Sequence, residues 1–396
     1  MNIKTQIFTV ILIIVSTAIF LFFFISTAID GYTIFGSNKI DFQVTGQVGD
    51  FIGGLLGTII NAAAFYFLYL TLKEQRLENS KQALTNQKEN FEKKFYELVF
   101  LHRANVSELK YKKNCELYEA RSVFKILIEE FTECLHEVKR FAKMYPEMHD
   151  EEINPRYFEK LQKIKQDNKL RASVQELALI NLAYTIFYYG VSEESETTHQ
   201  HMFRSKYKHN YTKKLKLFLQ LKSKKEDDES YKKWWAFISQ EVQHMKIEFE
   251  TIYEKRRKFL PNPDAPQILD NLYSEKYYNG HQEQLGHYFR HLFQSFTFVS
   301  IQETLSDTEK YFYAKTLRAQ LSTHEQLLIF FNSISSLGLK WEYSAKTDKN
   351  FPKIPLEQFK LITKYDIIKN VPGTSFYDVM YRHFYSTIQY ESVENN

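Results

Sequence analysis

The chain has 396 residues, a net charge of +4, 44% hydrophobic and 25% charged residues. That balance excludes a disordered chain and gives no general basis for coating nucleic acid, so any basic surface must be local. Its 12 glycines and 8 prolines are few, which favours long helices over turn-rich sheets. Two cysteines, Cys115 and Cys134, form no CxxC motif, which fits a reducing compartment and excludes a disulfide framework or a thiolate zinc site. The many Phe and Tyr are read mainly as core packing.

Thr5 to Ile29 carries no charge and is long enough to span a bilayer of roughly 30 Å hydrocarbon thickness. Ser26-Thr27-Ala28 resembles a small-residue cleavage site, but the apolar run exceeds a signal peptide's and reads as a retained helix. Phe51 to Leu72 is the second expected span. Between the two lies a loop, Asp30 to Asp50, holding one basic residue, Lys39, whereas Lys73, Arg76, Lys81 and Lys88 follow the second span. This bias places the large C-terminal part in the cytoplasm, with the lipid bilayer as first partner. Gly49, Gly53, Gly57 and Asn61 recur every four residues and are expected to share one helix-packing face. That face would meet either the first span or a second copy of the chain.

Leu70, Leu77, Leu84, Phe91 and Leu98 repeat every seven residues, the mark of a coiled-coil seam. The companion positions Lys73, Ser80, Gln87 and Lys94 are polar, so the seam is weak. Beyond Phe91 the apolar set widens through Phe95, Leu98, Val99 and Leu101, which predicts entry into a core. Gly49 to Asn105 is thus expected to be one helix, a span continuing as a stalk.

Amphipathic periodicity predicts helices over Glu116–Phe141, Tyr157–Gln166, Ser173–Tyr189 (closed by Gly190) and Tyr231–Phe259. A basic run from Arg204 to Lys225, interleaved with Tyr207, Tyr211 and Phe218, lies between acidic blocks. It is read as a solvated face, with RNA or anionic lipid as the weaker alternative. Pro261 to Pro266 breaks the domain into two helical halves. His281 to Ser300 carries an apolar stripe of Leu285, Phe289, Leu292, Phe293 and Phe296 opposite His287, Arg290, His291 and Gln294. Ser306 with Glu309 and Ser322 with Glu325 form two capping-box patterns, each opening a helix. No strand signal matches these, so the fold is read as all-α. It comprises two transmembrane helices (5–29 and 51–72), a stalk (73–105), and a cytoplasmic domain in two halves (106–260 and 267–396).

The block from Gly286 to Phe293, the run from Leu317 to Ser322, Glu325 and the run from Leu327 to Asn332 resemble the phage abortive infection (AbiC-like) family. The segment Phe91 to His102 and the glycine-rich span are similar to that family too. The residues that carry the likeness are Tyr288, Phe289, Arg290, Arg318, Gln320, Ser322, Glu325 and Asn332. The resemblance implies a bacterial inner-membrane defence protein that halts phage multiplication at the expense of the infected cell. It implies no cofactor and brings no established active site.

From the residues themselves, no catalytic group is assigned. Arg318 and Glu325 are near enough in sequence to pair across a turn. Arg318 with His324, and Arg204 with His209, have the loose Arg–His spacing of HEPN-like helical ribonucleases, which keeps a membrane-tethered ribonuclease as an alternative. A non-enzymatic receptor or scaffold that self-associates through span and stalk is another. His199 and His201 lack a third ligand at metal-site spacing, so no metal is expected.

Overall fold

In a computed structural model, the structure describes residues 3–29, 42–51, 53–54, 57–113, 116–144, 152–191, 196–209, 280–343 and 360–391, with isolated positions between 211 and 219. The helix expected over Tyr231–Phe259, the Pro261–Pro266 break, Cys115 and much of the basic run lie outside these residues. The chain divides into two compact units, Met1–Lys88 and Glu89–Asn396.

In the first unit, α1 spans Ile3–Ile29, α2 spans Phe42–Phe51, and α3 begins at Gly57. One expectation changes here. The segment between the two apolar runs is not all loop, because α2 occupies its second half. Within the run 51–72, α2 includes Phe51, the described residues 53–54 are in a π-helical turn, and α3 begins at Gly57. Among the described residues, a Cβ placed on Gly46, Gly49, Gly53, Gly54 or Gly57 would meet nothing within 4 Å.

Phe23 of α1 stacks on Phe51 of α2, ring centroids 4.4 Å apart. Among the described residues no helix is long and apolar enough to cross a membrane; in α1 the described side chains begin at Val10.

α3 runs Gly57–Glu108, 52 residues and about 78 Å. Leu77 and Leu84 of the seven-residue seam are exposed, at 56% and 61%. Phe91, Phe95, Val99 and Val106 are buried, so the predicted entry into a core falls where the second unit begins. Leu101 stays on the surface instead.

In the second unit an antiparallel ribbon follows, β1 (Lys110–Lys113) and β2 (Glu116–Glu119), with Tyr111 opposite Tyr118. The helix expected from Glu116 therefore starts later: α4 spans Arg121–Met144. Its buried residues Phe124, Leu127, Phe131, Leu135 and Val138 keep helical spacing. α5 (Pro155–Asp167) is capped by Asn154, and α6 (Val174–Tyr189) is capped by Ser173 and closed by Gly190 at φ 80. α7 (Glu196–Arg204) follows.

The predicted second half supplies α8 (Gln282–Ser300), α9 (Asp307–Arg318) and α10 (Thr323–Ile334). Both capping boxes form, at Ser306 and at Ser322. Short pieces complete the unit: a 3-10 turn at Leu339–Trp341, α11 (Leu361–Lys364), the ribbon β3 (Ser375–Phe376) with β4 (Val379–Met380), and α12 (Tyr381–Phe384).

α10 is the centre. Every residue from Glu325 to Ile334 is buried, and the helix packs on both α4 and α6. Phe331 meets Phe131 of α4 at 4.4 Å between ring centroids, and Phe131 meets Tyr184 of α6 at 5.6 Å. The two predicted halves thus share one core. Burial of each such ring contributes about 2–3 kcal/mol.

Candidate functional site

The end of α3 places a histidine where its stripe calls for an apolar residue. His102 follows Phe91, Phe95 and Val99 on the buried face and is 1% exposed. The Ser322 capping box places a carboxylate beside it. Glu325 Oε2 accepts the Ser322 backbone N–H at 2.7 Å, while the Ser322 hydroxyl accepts the Glu325 N–H at 3.3 Å. The other oxygen, Oε1, accepts the Tyr288 hydroxyl at 2.9 Å and lies 3.7 Å from His102 Nε2. Glu325 is wholly buried. Two hydrogen bonds and its place in the first turn of α10 offset the desolvation of this carboxylate.

Among the described residues neither nitrogen of His102 has a hydrogen-bond partner, 3.7 Å being too long for one. Burial, then the charges of His291, Arg121 and Arg103, push its pKa from 6.5 down to about 4, so the ring is neutral near pH 7. His291 of α8 is held by its Nε2 at 3.1 Å from the Leu98 carbonyl. Above the buried pair, Arg103 Nε donates to Gln320 Oε1 and an Arg121 terminal amino group donates to the Gln320 carbonyl, each at 2.9 Å. The α9–α10 turn is thereby held by the end of α3 and the start of α4.

A second polar cluster underlies the start of α8. Glu130 of α4 accepts His281 Nε2 at 2.9 Å and the Tyr111 hydroxyl at 2.9 Å, with Lys113 Nζ at 3.3 Å. Burial opposes its charge, yet His281, Lys113 and Tyr111 together hold it below the usual carboxylate range. Gly280, at φ +82, delivers His281 into this cluster.

The structure brings Tyr288, Gln320, Ser322 and Glu325 together and leaves the other singled-out residues elsewhere. Arg318 does not pair with Glu325. Its guanidinium donates to the Tyr365 and Asp366 carbonyls at 2.9 and 3.1 Å, closing the C-terminal end of α11. Asn332 donates to the Tyr184 hydroxyl and accepts from Trp341 Nε1, a core role. Phe289 is buried beside Tyr288. Arg290 is exposed and lines a cleft of about 480 Å³ with Tyr188, Gly286 and His287. Asn61 is exposed on α3.

The Arg–His pairs do not share helices: Arg318 ends α9 while His324 lies on α10, and Arg204 ends α7 before His209. His199 packs on Phe203. Sequence reasoning missed His102, Arg103 and Arg121 as site residues; the available signal was a histidine at stripe spacing.

Residues 280–346 match the family described as "Putative phage abortive infection protein". The matched segment holds all eight residues that carried the resemblance and, with them, the Tyr288–Glu325 contact and the Gln320 anchor. Neither a curated protein nor a solved structure matches the chain. The matched segment is therefore one wall of the site, and α3 and α4 supply the other.

His102 and Glu342 set opposing pH dependences. The unfolded chain binds a proton at His102 below pH 6.5 that the folded chain refuses. That contribution is complete above pH 6.5 and is lost as the pH falls toward 4. Glu342, which accepts the Thr363 N–H and hydroxyl, is lifted by burial from 4.5 to about 7 despite those bonds. Its contribution is complete below pH 4.5 and is lost as the pH rises through 7. Urea unfolding at pH 4.5, 5.5 and 6.5 separates them. Relative to the wild type, His102→Leu makes stability fall more steeply with pH and Glu342→Gln makes it rise, each by up to about 1.4 kcal/mol per pH unit. Unchanged slopes would show that neither group titrates as described.

Proposed function

We propose that this is a bacterial inner-membrane protein that defends against phage by abortive infection, with a cytoplasmic helical domain that senses infection and α3 as the rod joining it to the membrane part. The observation that carries this reading is the contact set of the abortive-infection segment. Its Tyr288, Glu325 and Gln320 gather on His102 and Arg103, the last turns of the helix that begins in the apolar first unit. A change at α10 would be felt by α3 directly.

Membrane anchoring is supported by the surface of the first unit. Ile13, Ile14, Phe22, Ile25 and Ile29 of α1 are 58% exposed or more, and Phe65 and Tyr69 of α3 are 72% and 61% exposed. Apolar surface of that extent is matched by lipid rather than water. The charge bias after Leu72 supports a cytoplasmic second unit.

The ribonuclease reading is the alternative, and the burial of Arg318 under the end of α11 weighs against it. Membrane potential and RNA integrity, followed together after infection, separate the two. The proposal expects depolarisation while tRNA, rRNA and mRNA stay intact; RNA cleavage with the potential maintained would overturn it.

A further inference from the structure

The cleft at the start of the matched segment is a cavity of about 480 Å³ within the second unit, walled by two helices. Glu283, Gly286, His287 and Arg290 of α8 line it and, at spacings of three, four and seven residues, share one helix face. Tyr188 and Tyr189, the last residues of α6, form the opposite wall. Their rings stand 5.0 Å apart and nearly perpendicular, at 85°. Gly286 keeps the space between the walls open. A Cβ there would stand 3.0 Å from the Tyr188 hydroxyl. By carrying glycine rather than alanine at that position, α8 forgoes about 1 kcal/mol of helix stability.

Two features of the cleft select a ligand. The first is charge separated by sign. Glu283 stands at one end of the lined face, and Arg290, with His287 one turn before it, stands at the other, about 10 Å further along the helix axis. A ligand that satisfies both ends carries hydrogen-bond donors at one and an anion at the other. The second is an unpaired acceptor. Gln284 also lines the cleft, and its side-chain oxygen is buried with no hydrogen-bond partner among the described residues. A buried acceptor of this kind costs about 1–3 kcal/mol until a donor reaches it.

We propose that this cleft binds a guanine nucleoside monophosphate. The guanine edge offers N–H donors to Glu283 and the Gln284 oxygen, its ring lies against the tyrosine pair, and the phosphate meets Arg290 and His287. Adenine presents a ring-nitrogen acceptor where these two acceptors need a donor, so it fits less well. A cavity of this volume holds one small ligand, and its polar lining with two aromatic rings matches a flat polar base joined to an anion. The site rests on the cleft alone and stands whether or not the chain acts in defence.

The test is calorimetric titration of the full chain in detergent with GMP, AMP, guanosine, inorganic phosphate and a zwitterionic tripeptide, glycyl-tyrosyl-glycine. GMP binds most tightly, AMP and guanosine are each weaker by about tenfold or more, and phosphate alone gives no heat. Arg290→Gln weakens GMP by about tenfold and leaves guanosine unchanged, whereas Glu283→Gln weakens both by about fivefold. Both side chains are exposed, so these two variants keep the wild-type thermal melt and a loss of binding in them is not a loss of fold. Gly286→Leu fills the cleft and abolishes GMP binding. Four results would overturn the proposal: no GMP binding at about 1 mM, GMP affinity unaltered by Arg290→Gln and Gly286→Leu, guanosine or AMP bound as tightly as GMP, or the tripeptide bound more tightly than GMP.

Discussion

Glu325→Ala lowers the unfolding free energy of the chain by about 3–5 kcal/mol, measured by denaturant melts in detergent. The change removes the acceptor of the Ser322 backbone N–H and of the Tyr288 hydroxyl, both at a buried site. Each donor left without a partner there costs about 1–3 kcal/mol, and the loss of the cap adds about 1 kcal/mol. Glu325→Gln keeps the volume and one acceptor oxygen, so its loss is about 1–2 kcal/mol. Equal losses for the two variants would mean that charge, rather than hydrogen bonding, holds the carboxylate in place.

Gly280→Ala is expected to destabilise by about 3 kcal/mol or more, through two effects that a second glycine separates. Its φ of +82 already disfavours any side chain, and an added Cβ would stand 2.6 Å from the Tyr189 carbonyl carbon, a backbone atom that cannot swing away. Gly373 shares the left-handed conformation, at φ +66, but a Cβ there meets only the Ser375 carbonyl oxygen at 3.8 Å. Gly373→Ala therefore shows the conformational part alone, about 1 kcal/mol. The difference in melting between the two alanine variants measures how tightly the start of α8 is pressed against the end of α6. A Gly280→Ala variant no worse than Gly373→Ala would show that this contact gives way.

Much of the helical architecture was legible because its signals are local. The capping boxes at Ser306 and Ser322 each need only residues three apart, and both form. Gly190 closes α6 as its position after an apolar helix implies. The widening of the α3 pattern after Phe91 marks its entry into the core. The misplaced start of the helix after α3 has an equally specific cause. The β1–β2 ribbon has strands of only four residues, mostly exposed, and the strong period of α4 drew the predicted helix back over β2.

The candidate site was legible only in its residues, not in its assembly. Glu325 was placed correctly as a cap, but its second oxygen serves Tyr288 and lies beside His102, partners from α8 and α3 that no periodicity connects. Arg318 was assigned to the nearest carboxylate in sequence. Its true acceptors are the carbonyls of residues 365 and 366, a pairing set by how α11 packs against α9.

The plating efficiency of a broad phage panel on bacteria expressing the chain tests the account most directly. Reduced plating on at least some phages, with infected cells dying before they release progeny, is the predicted result. Undiminished plating across the whole panel, with the chain expressed and folded, would contradict it.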